Sequence, residues 1–64
     1  MLTPREEEIA ALVAQGMTNR EIAKMLGGIS SRTVSSHIAH ILDKLRLQNR
    51  VQIAVHWIER DVAA

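Results

Sequence analysis

The run Thr18-Asn19-Arg20-Glu21-Ile22-Ala23-Lys24-Met25-Leu26-Gly27-Gly28-Ile29-Ser30-Ser31-Arg32-Thr33-Val34 holds two helix starts with a glycine turn between them. At the first start, Thr18 is placed to accept from the N–H of Glu21, and the Glu21 carboxylate to accept from the N–H of Thr18, which is a capping box. Met17 before the cap and Ile22 after it are spaced as a hydrophobic staple. Gly27 stops this helix. The second start lies at Ser30, with Ile29 and Val34 as its staple pair. Two short helices joined by a tight glycine-containing turn make a helix-turn-helix.

Working outward, the segment before this unit opens in the same way. Thr3 predicts an N-cap, Pro4 a first helical residue and Glu6 a closing capping-box partner. Glu6, Glu7 and Glu8 suit the positive end of the helix dipole. Ile9, Leu12 and Val13 give this first helix an apolar stripe, and Gly16 ends it. The second helix turns Ile22, Ala23 and Leu26 inward, and the third turns Val34, Ile38, Ile41, Leu42 and Leu45 inward, within an arc of about 100°. A fourth helix is expected from Asn49 to about Asp61. No segment alternates with period two, so the fold class is all-α: one four-helix domain over residues 1–64 containing a helix-turn-helix.

Composition agrees with a small domain. The 64 residues are 47% hydrophobic, with Trp57 as the one aromatic and no cysteine, so the core is aliphatic and has no disulfide or thiolate metal site to support it. No apolar run is long enough to span a membrane and no signal pattern opens the chain, which makes a cytoplasmic protein the default expectation. Net charge is only +1, but it is unevenly spread. Between Thr18 and Arg50 the cations Arg20, Lys24, Arg32, Lys44, Arg46 and Arg50 face only Glu21 and Asp43. Outside that window Arg5 and Arg60 face Glu6, Glu7, Glu8, Glu59 and Asp61. A basic middle suits a polyanion; it is also compatible with ordinary solvated helix charge.

Opposite the apolar stripe of the third helix lie Arg32, Ser36, Ala39, His40 and Asp43, with Ser35 on one flank. A plain surface helix would carry long Glu/Lys pairs there. Small polar side chains instead let a helix approach base edges closely, so this face is expected to contact DNA. Thr18, Asn19 and Arg20, which open the second helix, are expected at phosphate. Lys44 and Arg46 end the third helix, where a cation suits the dipole and is also within reach of DNA. Arg50 either binds phosphate or caps its own helix.

On the fourth helix Val51, Ala54, Val55 and Ile58 form one stripe, read as facing the core. Ile53 and Trp57 form a second, read as facing a second copy of the chain. The alternative is a wider core with Trp57 folded against the first helix. His37 and His40, with no Cys in the chain, predict no metal site, and His37 is expected half-buried at the helix edge. Ser and His on one contact face give no catalytic constellation. Gly27-Gly28 follows a helix, not a strand, so no nucleotide loop is expected, and neither is a cofactor.

Together, Leu2-Thr3-Pro4-Arg5-Glu6, Gly16-Met17-Thr18-Asn19-Arg20-Glu21-Ile22-Ala23, Arg32-Thr33-Val34, Lys44-Leu45 and Asn49-Arg50 resemble the LuxR-type (GerE/FixJ/NarL-like) DNA-binding domain, over about Leu2 to Ile58. The resemblance implies a non-enzymatic, bacterial-type transcriptional regulator's domain that binds double-stranded DNA. It implies a third helix in the major groove, a fourth helix that makes a homodimer, and RNA polymerase as a possible further partner. It also implies the C-terminal output domain of a longer regulator, such as a response regulator. By resemblance Thr33 touches phosphate. Two departures stand out: Gly27 and Gly28 both lie between Leu26 and Ile29, where family members usually have one residue. In several members the positions matching Ser35 and Ala39 are lysines that reach DNA. Two rival readings are a sigma-factor-like promoter-reading domain and a small helical protein-interaction module that binds through Ile53 and Trp57.

Overall fold

The computed structural model describes residues 1–63, the side chains of Asp61 and Ala63 apart. It contains four helices, α1 (Pro4–Ala14), α2 (Asn19–Met25), α3 (Ser31–Leu45) and α4 (Arg50–Ala63), and no strand among the described residues. All three sequence-read caps form. Thr3 and Thr18 each accept from the N–H three residues on and receive the reciprocal carboxylate of Glu6 and Glu21, while Ser30 accepts from Thr33. Asn49 caps α4, its Oδ1 accepting from the N–H of Gln52 at 3.1 Å.

The helix ends are closed as deliberately as the starts. At the end of α2 the N–H of Gly28 donates to the Ala23 carbonyl at 3.0 Å and that of Gly27 to Lys24 at 3.2 Å, a Schellman arrangement. Gly27 and Gly28 both take positive φ, 87° and 88°, so the additional turn residue continues the left-handed backbone before the chain extends into Ile29 and Ser30. α3 ends on the same hydrogen-bond pattern, with Leu47 N–H donating to Leu42 at 2.8 Å, but its left-handed residue is Arg46, at φ 55°.

The core is Ile9, Ala10, Val13, Ile22, Ala23, Val34, Ile38, Ile41 and Ile53, with Leu2, Leu12, Met17, Leu26, Ile29, Leu42, Leu45, Leu47 and Trp57 packed around it. α1 packs chiefly against α4 and also against α3, and α2 packs against α3. The inward stripes read for the first three helices are therefore correct.

The stripes of α4 are inverted relative to expectation. Ile53 is 1% exposed and Trp57 half-buried, whereas Val51, Val55 and Ile58 are 67%, 47% and 53% exposed. Ile53 is thus a core residue and not a dimerisation residue, and Trp57 packs against the core. The physical reason lies in the residues that share their face. Arg50, Ile53, Trp57 and Arg60 recur at i, i+3, i+7 and i+10, and both arginines reach back to neighbouring elements. The Arg50 guanidinium donates to the Met17 carbonyl at 2.7 Å and to Asn19 Oδ1 at 2.5 Å. Arg60 pairs with Glu7 at 3.4 Å and stacks 4.6 Å over the Trp57 ring. Burying an isoleucine and most of a tryptophan also removes more apolar surface from water than burying the valines opposite.

One buried charge holds the layers together. Glu6 is 4% exposed, and the Lys44 ammonium donates to its Oε1 at 2.7 Å, joining the start of α1 to the end of α3. The same oxygen accepts from the Thr3 N–H at 2.9 Å. These partners, Lys44 first, hold the Glu6 carboxyl down at about 2.

Candidate nucleic-acid interface

α3 is positioned by its buried face, since Val34 and Ile41 are fully enclosed and Ile38 nearly so. That fixes the rotation of the helix and leaves Arg32, Ser35, Ser36, Ala39, His40 and Asp43 exposed together. Among the described residues, no hydrogen bond or ion pair within the chain engages the side chains of Arg32, Ser35, Ser36, His40 or Asp43. Apart from Ala39, which contributes a methyl, the ridge therefore offers free donors and acceptors to a ligand. His37 is half-buried on the flank, as expected. No group of three His, Cys, Asp or Glu side chains gathers anywhere among the described residues.

The first turn of α3 is already organised. Ser30 Oγ accepts from the Thr33 N–H at 3.0 Å and lies 2.9 Å from Thr33 Oγ1. Thr33 is exposed, with its hydroxyl tied to the cap. At the start of α2 the Thr18 hydroxyl is occupied by the Glu21 N–H, and its own N–H by Glu21 Oε1 at 2.8 Å. That N–H and the Thr18 hydroxyl hold the Glu21 carboxyl below its ordinary range. Asn19 Oδ1 is held by Arg50. Arg20 projects freely into solvent beside them.

Two sequence-read contact residues are diverted. Lys44 is folded onto Glu6, and its side chain is 37% exposed. Arg50 neither caps α4, a role Asn49 performs, nor projects freely; it ties the start of α4 to the turn before α2. Sequence reading missed both links because the partners lie 38 and 31 residues away in the chain. The remaining candidates, Arg20, Arg32, Thr33, Ser35, Ser36, Ala39 and His40, stand exposed along α2 and α3.

The outer face of α4 is a second surface of note. Val51, Val55, Ile58 and Val62 recur at i, i+4, i+7 and i+11, and all four are exposed. No helix among the described residues is long and apolar enough to cross a membrane.

Comparison with known proteins agrees with this arrangement. The family described as bacterial regulatory proteins, luxR family, matches residues 1–57. The chain is 45% identical over 60 residues to the nitrate/nitrite response regulator protein NarL of Escherichia coli K12, covering 94% of this chain and 27% of that protein. It is 40% identical over 62 residues to the response regulator protein VraR of Staphylococcus aureus Mu3, covering 97% of this chain and 29% of VraR. It thus spans a little over a quarter of the length of these relatives. With a helix-turn-helix built from α2 and α3, and a family match over nearly its whole length, the chain belongs to the luxR family of bacterial regulatory proteins and is a DNA-binding regulator domain of that family.

Proposed function

We propose that this domain binds duplex DNA sequence-specifically as a homodimer, as the output domain of a longer transcriptional regulator, with α3 seated in the major groove. The observation that carries the reading is the unpaired ridge of α3, held outward by a fully buried opposite face. Arg32 suits bidentate donation to a guanine, Ser35, Ser36 and His40 suit base or phosphate, and the Ala39 methyl suits a thymine methyl. Arg20 and Thr33, with the Thr18–Asn19 turn, flank the ridge as phosphate contacts. Lys44 and Arg50 serve this interface chiefly by holding α3 and α4 in place, given their partners.

Self-association falls to the outer stripe of α4. Val51, Val55, Ile58 and Val62 repeat with the 4-3-4 spacing of a helix seam, and a symmetric pair would present two α3 helices to two half-sites. Trp57 contributes by fixing α4 against α1 rather than by contacting the second copy.

Binding to duplex pools from about 50 to 200 mM salt tests the proposal, because log K should fall by about 0.9 per phosphate contact for each decade of salt. Arg20→Ala should weaken binding to all sequences alike and flatten that slope by about 0.9. Arg32→Ala should change the preferred bases, at roughly 1–3 kcal/mol for a lost bidentate contact. Affinity that ignores salt, with no sequence recovered from random duplex DNA, would instead favour a protein-interaction module.

A further inference from the structure

Three helices of this domain end on one hydrogen-bond pattern. After α1, α2 and α3 the N–H groups of Met17, Gly28 and Leu47 donate five residues back, to Leu12 at 3.3 Å, Ala23 at 3.0 Å and Leu42 at 2.8 Å. Each time the residue before the donor takes the left-handed backbone: Gly16 at φ 82°, Gly27 at 87° and Arg46 at 55°. Glycine adopts that conformation freely, whereas a side chain there crowds the following carbonyl. The pattern is made by main-chain groups alone, so it needs nothing from the Arg46 side chain. That side chain is exposed and makes no hydrogen bond or ion pair among the described residues. A residue that strains its own helix end and gives the fold no contact in return points to a role outside the fold.

We infer that Arg46 is a phosphate-binding residue, held at the left-handed end of α3 for its charge. This rests on the DNA-binding reading above. The distribution of cations supports it. Arg5, Lys44 and Arg60 each pair with a carboxylate, and Arg50 is held by Met17 and Asn19. The cations without such a partner among the described residues are Arg20, Lys24, Arg32 and Arg46, all exposed and all between the start of α2 and the end of α3. Cations left unpaired on one helix-turn-helix make a surface suited to a polyanion. With Lys44 drawn to Glu6, Arg46 supplies the free positive charge at the C-terminal end of α3. The spacing suits the DNA backbone. Arg46 lies ten residues beyond Ser36, about 15 Å along the helix axis, while the major groove is about 12 Å wide and 8.5 Å deep. With Ser36 at base edges, a helix tilted across or out of the groove has passed its edge, where the phosphates lie, before Arg46. A helix lying along the groove has a phosphate strand about 6 Å to either side. A phosphate contact is available at both limits of tilt.

The test compares Arg46→Gly, which removes charge and strain together, with Arg46→Gln, which removes the charge alone, and Arg46→Lys, which keeps both. Each is measured against a duplex selected by the wild-type domain and against a random-sequence duplex of equal length. Arg46→Gly and Arg46→Gln should weaken binding to both duplexes alike and flatten the slope of log K against log salt by about 0.9 per bound copy. With affinities that converge near 1 M salt, that slope is about an eightfold loss at 0.1 M. Arg46→Lys should keep the wild-type slope. The unfolding midpoint of Arg46→Gly should rise, so its affinity falls while its fold gains, a split that a structural role does not produce. Unchanged affinity and slope in Arg46→Gly and Arg46→Gln would overturn the inference. So would a loss confined to the selected duplex, which would make Arg46 a base contact, or a loss in Arg46→Gly alone, which would make the backbone shape the cause. A lowered midpoint for Arg46→Gly would overturn it too, by giving the side chain a part in the fold. A wild-type affinity that ignores salt on both duplexes refutes the DNA-binding reading itself, a separate outcome.

Discussion

Substituting Ile53 and Val55 one at a time tests the orientation of α4, because the two residues are two positions apart and have opposite surroundings. Ile53 is 1% exposed and sits in the core between α1 and the other helices, whereas Val55 is 47% exposed. Truncating a buried isoleucine to alanine loses its transfer free energy and leaves a cavity, at about 2–5 kcal/mol. A domain of 64 residues has total stability of only about 3–10 kcal/mol. Ile53→Ala should therefore remove between about a fifth and the whole of the total. With a urea slope near 1 kcal/mol/M, at the low end for small proteins, a loss of about 3 kcal/mol lowers the midpoint by about 3 M. Val55→Ala should cost no more than about 0.5 kcal/mol, as surface substitutions do. It should instead weaken self-association, read by sedimentation at matched concentrations. The unfolding experiments are run at two protein concentrations, since association adds stability by mass action. If Ile53→Ala leaves the midpoint within a few tenths molar of wild type and abolishes association, while Val55→Ala unfolds the domain, the packing of α4 described above is wrong.

Three further outcomes are expected. Glu6 is held at about 2 when folded, against 4.5 for the free side chain, so its contribution is complete above about pH 4.5. That contribution should be lost progressively as pH falls from 4.5 toward 2, and Glu6→Gln should remove most of this acid dependence in thermal melts. Arg46→Gly should stabilise the domain by about 1 kcal/mol in urea unfolding, because a non-glycine residue at φ 55° carries a left-handed backbone cost; a destabilised variant would mean the arginine side chain makes a compensating contact. Gly28→Ala should cost about 1–2 kcal/mol through backbone strain alone, since no atom lies within 4 Å of the added methyl, and a neutral result would show that the turn relaxes out of the left-handed region.

The parts of this fold that could be read from sequence are those decided within a few residues. Thr3, Thr18 and Ser30 cap helices because their partners lie three positions on, and the glycine stops act over the preceding turn. The stripes of α1, α2 and α3 were equally legible, since each has one apolar face and hence one way to turn. α4 has two, and nothing local chooses between Ile53–Trp57 and Val51–Val55–Ile58. The choice is made by Met17, Asn19 and Glu7, which bind its arginines from distant positions. The candidate site divides in the same way. The exposed ridge from Arg32 to Asp43 follows from the periodicity of α3 alone, whereas the diversion of Lys44 and Arg50 depends on partners that only the tertiary fold supplies. The left-handed Arg46 gave no sequence signal, because glycine or asparagine is the usual mark of such a position.

The packing of α1 against α4 has a consequence for how the domain comes into being on the ribosome. These are its first and last helices, and the core cluster that holds Ile9 and Val13 of α1 is completed by Ile53 of α4. Whatever precedes or follows the domain in a longer chain, α1, α2 and α3 emerge from the exit tunnel as an open assembly with an uncovered apolar flank. The helix-turn-helix is therefore held in its final shape only after the closing segment has been synthesised, so a nascent regulator truncated before α4 lacks the clamp that makes its reading head rigid.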